Sequence, residues 1–569
     1  MRTRLYAGQI ITCILALSIP LSIYSQQNGS ARRLPSDSNA ARTAANSKPA
    51  PGVITGATVK NDLSEALSVI QDNYIDGKSL DYNSIFKSSI SGMLTVLDPH
   101  SSYFDPIENA AFKNEQRSEY FGIGATIGDL REGDKVNTYI RATFENAPAG
   151  RAGLRFGDRI TAIDDKSMVG KTYSEVRKFL LGPEGTVVKV TVEHLANKQS
   201  ETYTITRGAV SVPSIPQAYL VRPGVGYIAM TSGFSQTTAS EFQAALDDLH
   251  SQGMKTLIID LRGNRGGLLI QAVLVANSFL QKGQLIVSQK GRIRGASPSP
   301  FVAINETPDQ IPLVVLVNNE SASAAEIVAG ALQDHDRALI VGESTFGKGL
   351  VQLPIQLEHD SALLLTVAKY FTPSGRLIQR DYSNGGFYDY YTRGGLSAET
   401  KAPVQPNGPE SRTDAGRTVY GGGGITPDEF AKPATAKPGE GRVVNPIFAF
   451  ALELVAGRVA GFESYKVQKP IEYDHDITAA DFPMTEALFK EFKRFVASKP
   501  VFKVTADQLD KNRGFIERQL RFELSMAAYG SLTAVQVLYE NDPQIARAVE
   551  AMPRARELAL AARRAKARL

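Results

Sequence analysis

Hydrophobic positions recur at helical spacing near the start of the chain and at strand spacing further on. Leu63 and Ile70 belong to a helical series that continues to Leu97, which predicts two or three helices ending at Pro99. Residues 119–207 instead carry short runs rich in β-branched residues, so we expect mostly strands there.

From residue 224 to residue 428, short apolar runs alternate with helical patterns. Thr256–Asp260 and Leu313–Val317 have the composition of buried strands, whereas Phe242–Leu249 and Ala324–Leu332 have helical spacing. This alternation predicts an α/β layer structure.

Two further segments differ in pattern from this region. Residues 381–424 are rich in Gly, Tyr and Pro without periodicity, which predicts a long surface insertion. Residues 445–569 are mostly helical in pattern and end in a basic tail. We favour a solvated helix end for this tail over a site for an anionic partner.

The first residues have the pattern of an export signal. Arg2 and Arg4 precede the apolar run Ile10–Tyr24, and Ser25 suits a cleavage site. The run is shorter than the roughly 20 residues of a membrane span, although an uncleaved anchor is the alternative. Residues 26–57 are polar and lack periodicity, which predicts a flexible linker.

Composition narrows the class of protein. The chain has 569 residues, of which 43% are hydrophobic and 21% charged, as in a globular protein of several domains. Its net charge of +4 is too small for a protein that mainly grips nucleic acid. The single cysteine, Cys13, lies in the apolar run, and the six histidines are scattered, so we expect no metal site.

One common motif is misleading. Gly342–Lys348 matches the first seven positions of a phosphate-binding loop. The next residue is Gly349 in place of the hydroxyl that holds magnesium, and residues 350–354 read as a strand rather than a helix. We therefore expect no nucleotide site, and Lys348 needs another explanation.

A serine-rich turn follows the predicted strand Leu313–Val317. Ser321 and Ser323 lie where a helix begins, and free N–H groups at a helix start favour developing negative charge. From local sequence alone, a simple helix cap is the better explanation of this serine.

The sequence from residue 321 to residue 352 favours a functional serine over a simple helix cap. The segments Ser321–Ile327 and Thr345–Gln352 resemble the active-site motifs of the carboxyl-terminal processing (tail-specific) serine proteases, which are Ser-Lys enzymes. The resemblance implies that Ser323 is the nucleophile, that Lys348 is the general base and that Gln352 helps orient the lysine.

The same resemblance implies supporting groups. Glu326 and Thr345 fall on positions near the site, and the oxyanion hole would use the N–H of Ala324 with that of Gly266 or Gly267. Two departures from the motif, at positions 320 and 325, remove no catalytic group. Four more segments also match the family, namely Leu97–Tyr103, Asp260–Gly267, Tyr370–Arg376 and Gly424–Asp428.

The chemistry agrees with this assignment. A serine needs an adjacent base, and no histidine stands near Ser323 in any of these motifs. A lysine serves as a base only when it is neutral, and burial beside Phe346 and Val351 would lower the pKa of Lys348 towards the working pH.

The strand-rich segment resembles a PDZ domain. Tyr120–Ala125 looks like the loop that binds a peptide's terminal carboxylate, and Ala147–Ile160 is the more specific part of the match. Ile123 and Val176 are candidates for the floor beneath the peptide's last side chain, although ordinary core positions are the alternative. The predicted peptide-binding residues are Tyr120, Phe121, Gly122, Ile123, Gly124 and Val176.

Together these patterns predict an α/β protease core with an inserted β-rich PDZ domain and helical regions at both ends. The predicted organisation is a signal peptide (1–25), a flexible linker (26–57), an N-terminal helical region (58–116), a PDZ domain (117–207), a protease core (208–430) and a C-terminal helical region (445–569).

The predicted function is that of an exported serine endopeptidase in the periplasm or cell envelope. It would cut polypeptides near free apolar C-termini, or unfolded proteins, through an acyl-enzyme and without a cofactor. We expect no nucleic acid partner, and membrane contact only if the N-terminal segment is uncleaved. The C-terminal helical region would serve as an adaptor or self-association surface, or as a cap on the core. The alternative is a catalytically silent PDZ scaffold that binds C-termini.

Overall fold

The computed structural model describes residues 55–292, 300–383, 390–391 and 408–566. They divide into two compact units, one ending at Leu97 and the other beginning at Asp98. The predicted signal peptide and all but the last residues of the predicted linker lie outside the described residues. Within the described part, no helix is both long enough and apolar enough to cross a membrane.

The first unit consists of two helices, α1 (Gly56–Asn73) and α2 (Tyr82–Thr95). Each begins at a polar cap, because Thr55 and Asp81 accept hydrogen bonds from backbone N–H groups of the first turn. The helices expected from the apolar spacing are therefore present, and α1 has no buried residue within this unit.

The second unit is built on a six-stranded sheet whose order is β10-β11-β12-β15-β16-β21. All neighbours run parallel except β10 and β11. The strands are β10 (Gln217–Arg222), β11 (Val225–Ala229), β12 (Thr256–Asp260), β15 (Leu313–Val317), β16 (Leu339–Gly342) and β21 (Glu429–Phe430).

Helices cover both faces of this sheet. Ile259 and Val315 point to the face that packs on α6, α7 and α8, whereas Ile258 and Val314 point to the face that packs on α13. Alternate residues of a strand face opposite sides, so β15 is apolar and buried at every position. The helices are α6 (Thr238–Ser251), α7 (Leu269–Asn277), α8 (Ala324–Asp334) and α13 (Pro543–Lys566).

A second sheet lies beside this core and has the order β1-β18-β13-β14, with β17 paired to β18. Its β17 begins two residues after Lys348, so the lysine loop connects the two sheets. The strands are β1 (Ser102–Phe104), β13 (Leu285–Gly291), β14 (Phe301–Val302), β17 (Leu350–Gln356) and β18 (Ala362–Phe371). Helix α3 (Pro106–Gln116) follows β1.

The PDZ-like region has a sheet of order β3-β4-β5-β7-β8, with β6 paired to β5, and a separate pair β2-β9. Its strands are β2 (Glu119–Gly122), β3 (Ala125–Glu132), β4 (Lys135–Thr143), β5 (Arg159–Ile163), β6 (Lys166–Ser167), β7 (Val187–Glu193), β8 (Ser200–Thr206) and β9 (Gly208–Ser211). Its helices are α4 (Pro148–Ala152) and α5 (Tyr173–Leu180). Strand β3 is an edge strand.

The C-terminal region is helical, as expected, and packs against both the PDZ-like region and the core. Phe156 and Leu195 join the apolar core of these helices, and the guanidinium of Arg141 lies 3.8 Å from the ring centroid of Phe448. The helices are α9 (Glu440–Val455), α10 (Glu486–Ala497), α11 (Ala506–Lys511) and α12 (Arg513–Tyr539), followed by α13. The predicted fold class is confirmed.

The expected insertion at 381–424 is described only in part, and that part packs against the core. Tyr390 is 2% exposed and Thr413 is buried. The hairpin β19 (Glu410–Arg412) and β20 (Thr418–Tyr420) completes the described residues of this segment. Buried aromatic contacts need no periodic spacing, so the sequence pattern did not reveal this packing.

Candidate active site

Ser323 stands between the end of β15 and the first residue of α8. Its φ of 54° and ψ of −114° place it in a conformation that a non-glycine residue rarely adopts. Gly266 lies directly beside it, because a Cβ on Gly266 would come 2.7 Å from the Cβ of Ser323. A side chain at position 266 would therefore displace the serine.

Glu326 connects the serine turn to the lysine loop. Its buried carboxylate accepts hydrogen bonds from the N–H of Ser323 at 2.8 Å, Gly347 at 2.7 Å and Lys348 at 2.8 Å, and from the hydroxyl of Thr345. Burial raises the pKa of this carboxyl, and the four donors oppose that shift. One carboxylate thus holds the backbone of both predicted catalytic residues.

Lys348 follows Phe346 and Gly347 in a loop that ends at β17. Burial lowers the pKa of its amine to about 8, although the charges of Glu326 and Asp98 act in the opposite direction. The neutral form is therefore accessible near neutral to mildly alkaline pH. In the described residues, no hydrogen bond joins the Lys348 amine to the Ser323 hydroxyl.

Tyr370 is a positioning residue that the motif comparison left without a role. Its buried hydroxyl donates to the carbonyl of Lys348 at 2.6 Å and lies 3.1 Å from the carbonyl of Ser323. A single phenol therefore contacts both segments from the side opposite their N–H groups. The Tyr370–Arg376 motif was the only signal for it.

The two glycines proposed for the oxyanion hole differ in the structure. The N–H of Gly266 donates to the side-chain oxygen of Asn264 at 2.9 Å. The N–H groups of Gly267 and Ala324 donate to no other group among the described residues. Gly267 has φ 138°, and an added Cβ would come 2.2 Å from the carbonyl oxygen of Phe234, so only glycine fits there. This arrangement favours Gly267 over Gly266 as the second donor.

Gln352 does not contact Lys348 through any hydrogen bond that the structure describes. Its amide donates to the hydroxyl of Thr366 at 3.1 Å, and that hydroxyl donates to Asp98 at 3.0 Å. Asp98 is one of the two acidic groups whose charge acts on Lys348. The orienting role of Gln352 remains a prediction.

A histidine does lie near the lysine, which motif reasoning around Ser323 missed. His100 contacts Tyr390 through a 2.8 Å hydrogen bond, and burial and the charge of Lys348 lower its pKa to about 3. Its ring also lies edge-on to Phe346, with centroids 6.4 Å apart. His100 belongs to the motif before β1, which lies far from Ser323 in sequence, so only the tertiary fold shows this proximity.

The PDZ-like loop presents backbone donors too. The N–H groups of Ile123 and Gly124 have no partner among the described residues, whereas Tyr120, Phe121 and Gly122 belong to β2 and pair with β9. The side chains of Ile123 and Val176 are 3% and 0% exposed and pack in the core of this region. Their role as a peptide floor remains a prediction.

Metal ligands are not clustered in the described part of the chain. No group of three or more His, Cys, Asp or Glu side chains there is arranged to hold a metal ion.

A serine peptidase site contains a serine, a base and backbone N–H donors. The structure has a serine at a helix start, a lysine of lowered pKa and two backbone donors that could fill these roles. The comparisons with known proteins agree. The profile of peptidase family S41 matches residues 224–385, and a PDZ domain profile matches residues 140–194. The chain belongs to peptidase family S41, as a carboxy-terminal-processing protease with a PDZ domain.

Curated relatives support this placement. A carboxy-terminal-processing protease of Bartonella bacilliformis is 38% identical over 303 residues, which cover 52% of this chain and 68% of the relative. A probable CtpA-like serine protease of Staphylococcus haemolyticus is 35% identical over 51% of this chain and 57% of its own length. The matches thus span about half of this chain and between half and seven tenths of the relatives.

Among solved structures, a photosystem II D1 C-terminal processing protease is 30% identical to this chain. The match covers 57% of this chain and 90% of that one, with a TM-score of 0.31.

Proposed function

We propose that this chain is an exported serine endopeptidase that cuts polypeptides near apolar C-termini, or unfolded proteins, with Ser323 and Lys348 as its catalytic pair. The observation that carries the proposal is the buried Glu326 carboxylate, which binds the N–H groups of both residues. A binding module has no need to hold a strained serine and a lysine of lowered pKa on the same carboxylate.

The reaction follows from the chemistry of these groups. The neutral amine of Lys348 takes the proton from the Ser323 hydroxyl as the oxygen attacks the carbonyl carbon of the scissile bond. The N–H groups of Ala324 and Gly267 stabilise the resulting oxyanion. The lysine then gives its proton to the leaving amine as the C–N bond breaks, which leaves an acyl-enzyme on Ser323.

Hydrolysis of the acyl-enzyme repeats these roles. Lys348 takes a proton from water, the hydroxide oxygen attacks the ester carbonyl, and the serine oxygen leaves with the returned proton. The same backbone donors serve the second oxyanion. No step needs a metal or an organic cofactor.

The PDZ-like region supplies the proposed recognition of chain ends. An incoming peptide would add to the edge of β3 near its start, and its carboxylate would accept from the N–H groups of Ile123 and Gly124. The carboxylate would satisfy two backbone donors that otherwise have no partner in the described residues. An adaptor or self-association role for the C-terminal helices is a lesser proposal of the same kind.

The decisive experiment compares hydrolysis of an unfolded protein with a free apolar C-terminus by the parent and by Ser323→Ala. Loss of an activated serine reduces kcat by about 10⁶-fold in well-studied serine proteases, so we expect no cleavage above background. Ser251→Ala, an exposed serine that only bonds the carbonyl of Asp248, is the matched control and should cleave normally.

Two results would count against the proposal. Continued cleavage by Ser323→Ala would contradict the assignment of Ser323 as the nucleophile. Binding of the C-terminus without cleavage by the parent, at any pH from 6 to 10, would favour the scaffold alternative. Export is tested separately by the N-terminal residue of the protein recovered from cells, which should follow Ser25 if the signal is cleaved.

A further inference from the structure

Arg380 is a cation at the active site that neither the sequence motifs nor the reaction uses. Its backbone N–H donates to the carbonyl of Gly347 at 2.8 Å, which places it beside the lysine loop. Its guanidinium lies 5.2 Å from the ring centroid of Phe346. Phe346 in turn packs with Ala322, the residue before the proposed nucleophile.

This guanidinium forms no ion pair with a carboxylate of the described residues. Its Nη1 is buried without a hydrogen-bond partner, and no salt bridge to Arg380 exists among the described residues. Glu326 is close enough for its charge to act on Arg380, yet its carboxylate is already occupied by four donors. Burying an unpaired guanidinium, even by half, lowers the stability of the folded protein. We therefore expect that the site uses this charge to bind a ligand.

Other arginines of this core show the usual solution. Arg376, four residues earlier, forms a buried ion pair with Asp334 at 2.6 Å and also donates to Gln333. Arg262 pairs with Asp260 at 2.6 Å and with Asp542 at 2.8 Å. Arg380 differs from both because no carboxylate of the described residues forms a direct ion pair with it.

We propose that Arg380 is a substrate-binding residue that pairs with a carboxylate of the polypeptide in the catalytic site. Guanidinium and carboxylate form two parallel hydrogen bonds, and the Phe346 ring 5.2 Å away favours a cation at this position. The carboxylate has two sources in a polypeptide, the C-terminus itself and an Asp or Glu side chain near the scissile bond. This inference rests on the proposed function, because it assigns a ligand within that site.

Binding is best measured without turnover, in the Ser323→Ala background. Four fluorescent peptides of one sequence are compared: a free acid, its C-terminal amide, the amide with one Glu beside the scissile bond, and the amide with Gln there. A charged hydrogen-bonded pair is worth about 10- to 100-fold in affinity. We expect at least one acidic peptide to bind that much more tightly than its neutral match.

The second variant removes the guanidinium. Ser323→Ala/Arg380→Gln should lose the part of the preference that depends on Arg380: the Glu peptide and its Gln match should bind with nearly equal affinity, and the free acid should keep only the preference that the PDZ-like loop supplies. Arg380→Lys should keep part of the Arg380-dependent preference. Ser323→Ala/Arg222→Gln is the matched control, since Arg222 is exposed and bonds only its neighbour's carbonyl. A free-acid preference that falls in Arg380→Gln identifies the C-terminus as the source, and a Glu preference that falls in this variant identifies a side chain.

Equal weakening of all four peptides by Arg380→Gln would overturn the proposal, because it would show a bond to the peptide backbone or a structural role. An unchanged preference would overturn it as well. Neither result depends on catalysis, so failure of the Ser323 assignment would show itself separately, as cleavage by Ser323→Ala in the hydrolysis assay.

Discussion

Two loop regions of this protein contain backbone N–H groups that have no hydrogen-bond partner among the described residues, one in the protease core and one in the PDZ-like region. In the core, Gly267 lies in the loop that follows β12 and Ala324 directly follows the strained Ser323, whereas Ile123 and Gly124 immediately precede the edge strand β3. We propose that the donors in the core stabilise a negative charge that exists only during reaction, and that those in the PDZ-like loop bind a carboxylate that persists. The same backbone chemistry thus suits catalysis in one place and binding in the other.

The surroundings of the two loops explain the difference. A buried carboxylate with four donors and the Tyr370 hydroxyl hold the core loop on both sides. Apolar side chains instead pack beneath the PDZ-like loop, and its edge strand is held at its far end, where Asn445 of α9 accepts from the N–H of Arg131 at 2.8 Å. Stabilising a transition state requires N–H donors that are held in fixed positions. Binding a chain end requires only that the strand edge next to the donors is open to the peptide.

The sharpest test of the catalytic loop is Lys348→Met, which keeps the apolar stem and removes the base. We expect kcat/KM to fall by about 10²- to 10⁴-fold for every substrate, because general-base assistance has that size. In the parent, kcat/KM should rise with pH through about 8 and then level, since only the neutral amine accepts the serine proton. A pH-rate profile measures this.

Lys348→Arg is the control for charge, because a guanidinium stays protonated and cannot act as the base. It should be as inactive as Lys348→Met. A profile that is flat between pH 6 and 9 in the parent would contradict the assignment of Lys348.

Glu326→Gln tests the frame around the catalytic pair. The amide offers one acceptor oxygen to four donors, and its NH₂ faces two of them, so we expect kcat/KM to fall by about 10- to 100-fold. The charge of Glu326 raises the pKa of Lys348, so the midpoint of the pH profile should move below 8 in this variant.

That shift separates an electrostatic role from a purely structural one. Glu343→Gln, on the loop that follows β16, is the matched control and should leave the midpoint in place. A lower rate with an unmoved midpoint would show that Glu326 only braces the backbone.

The smallest effect is expected in the PDZ-like loop. Gly124 has φ +72°, and an added Cβ would lie 2.3 Å from the Cβ of Ala147, so Gly124→Ala should displace the carboxylate donors. We expect about a tenfold rise in KM for substrates chosen by their free C-terminus, and little change for internal sites of an unfolded protein.

Gly170→Ala controls for the backbone cost, because Gly170 has φ +82° with nothing within 4 Å of an added Cβ. Both variants carry the backbone cost, and Gly124→Ala should unfold at the lower temperature because only its Cβ meets a neighbouring side chain. If Gly124→Ala lowers the cleavage of both substrate classes equally, the two loops act as one site. That result would contradict the proposed division between catalysis and chain-end binding.

Sequence alone identified much of this protein. The apolar alternation predicted the α/β core, and the paired motifs around Ser323 and Lys348 indicated the peptidase family. Glu326 and Thr345 were named from position alone, and they lie together in the structure with both predicted catalytic residues. These features are local, or belong to short motifs whose residues act through nearby backbone groups.

Only the tertiary structure brought His100 and Arg380 beside the lysine loop and showed that the N–H of Gly266 is already engaged by Asn264. Hydrogen-bond partners and unpaired charges depend on which distant segments meet, and no spacing along the chain encodes that meeting. Helix and strand patterns in the sequence indicate which residues are buried, but not which distant residues they contact. Part of the electrostatics of the site arises from Asp98 and His100, which lie far from Lys348 in sequence and which only packing brings close to it.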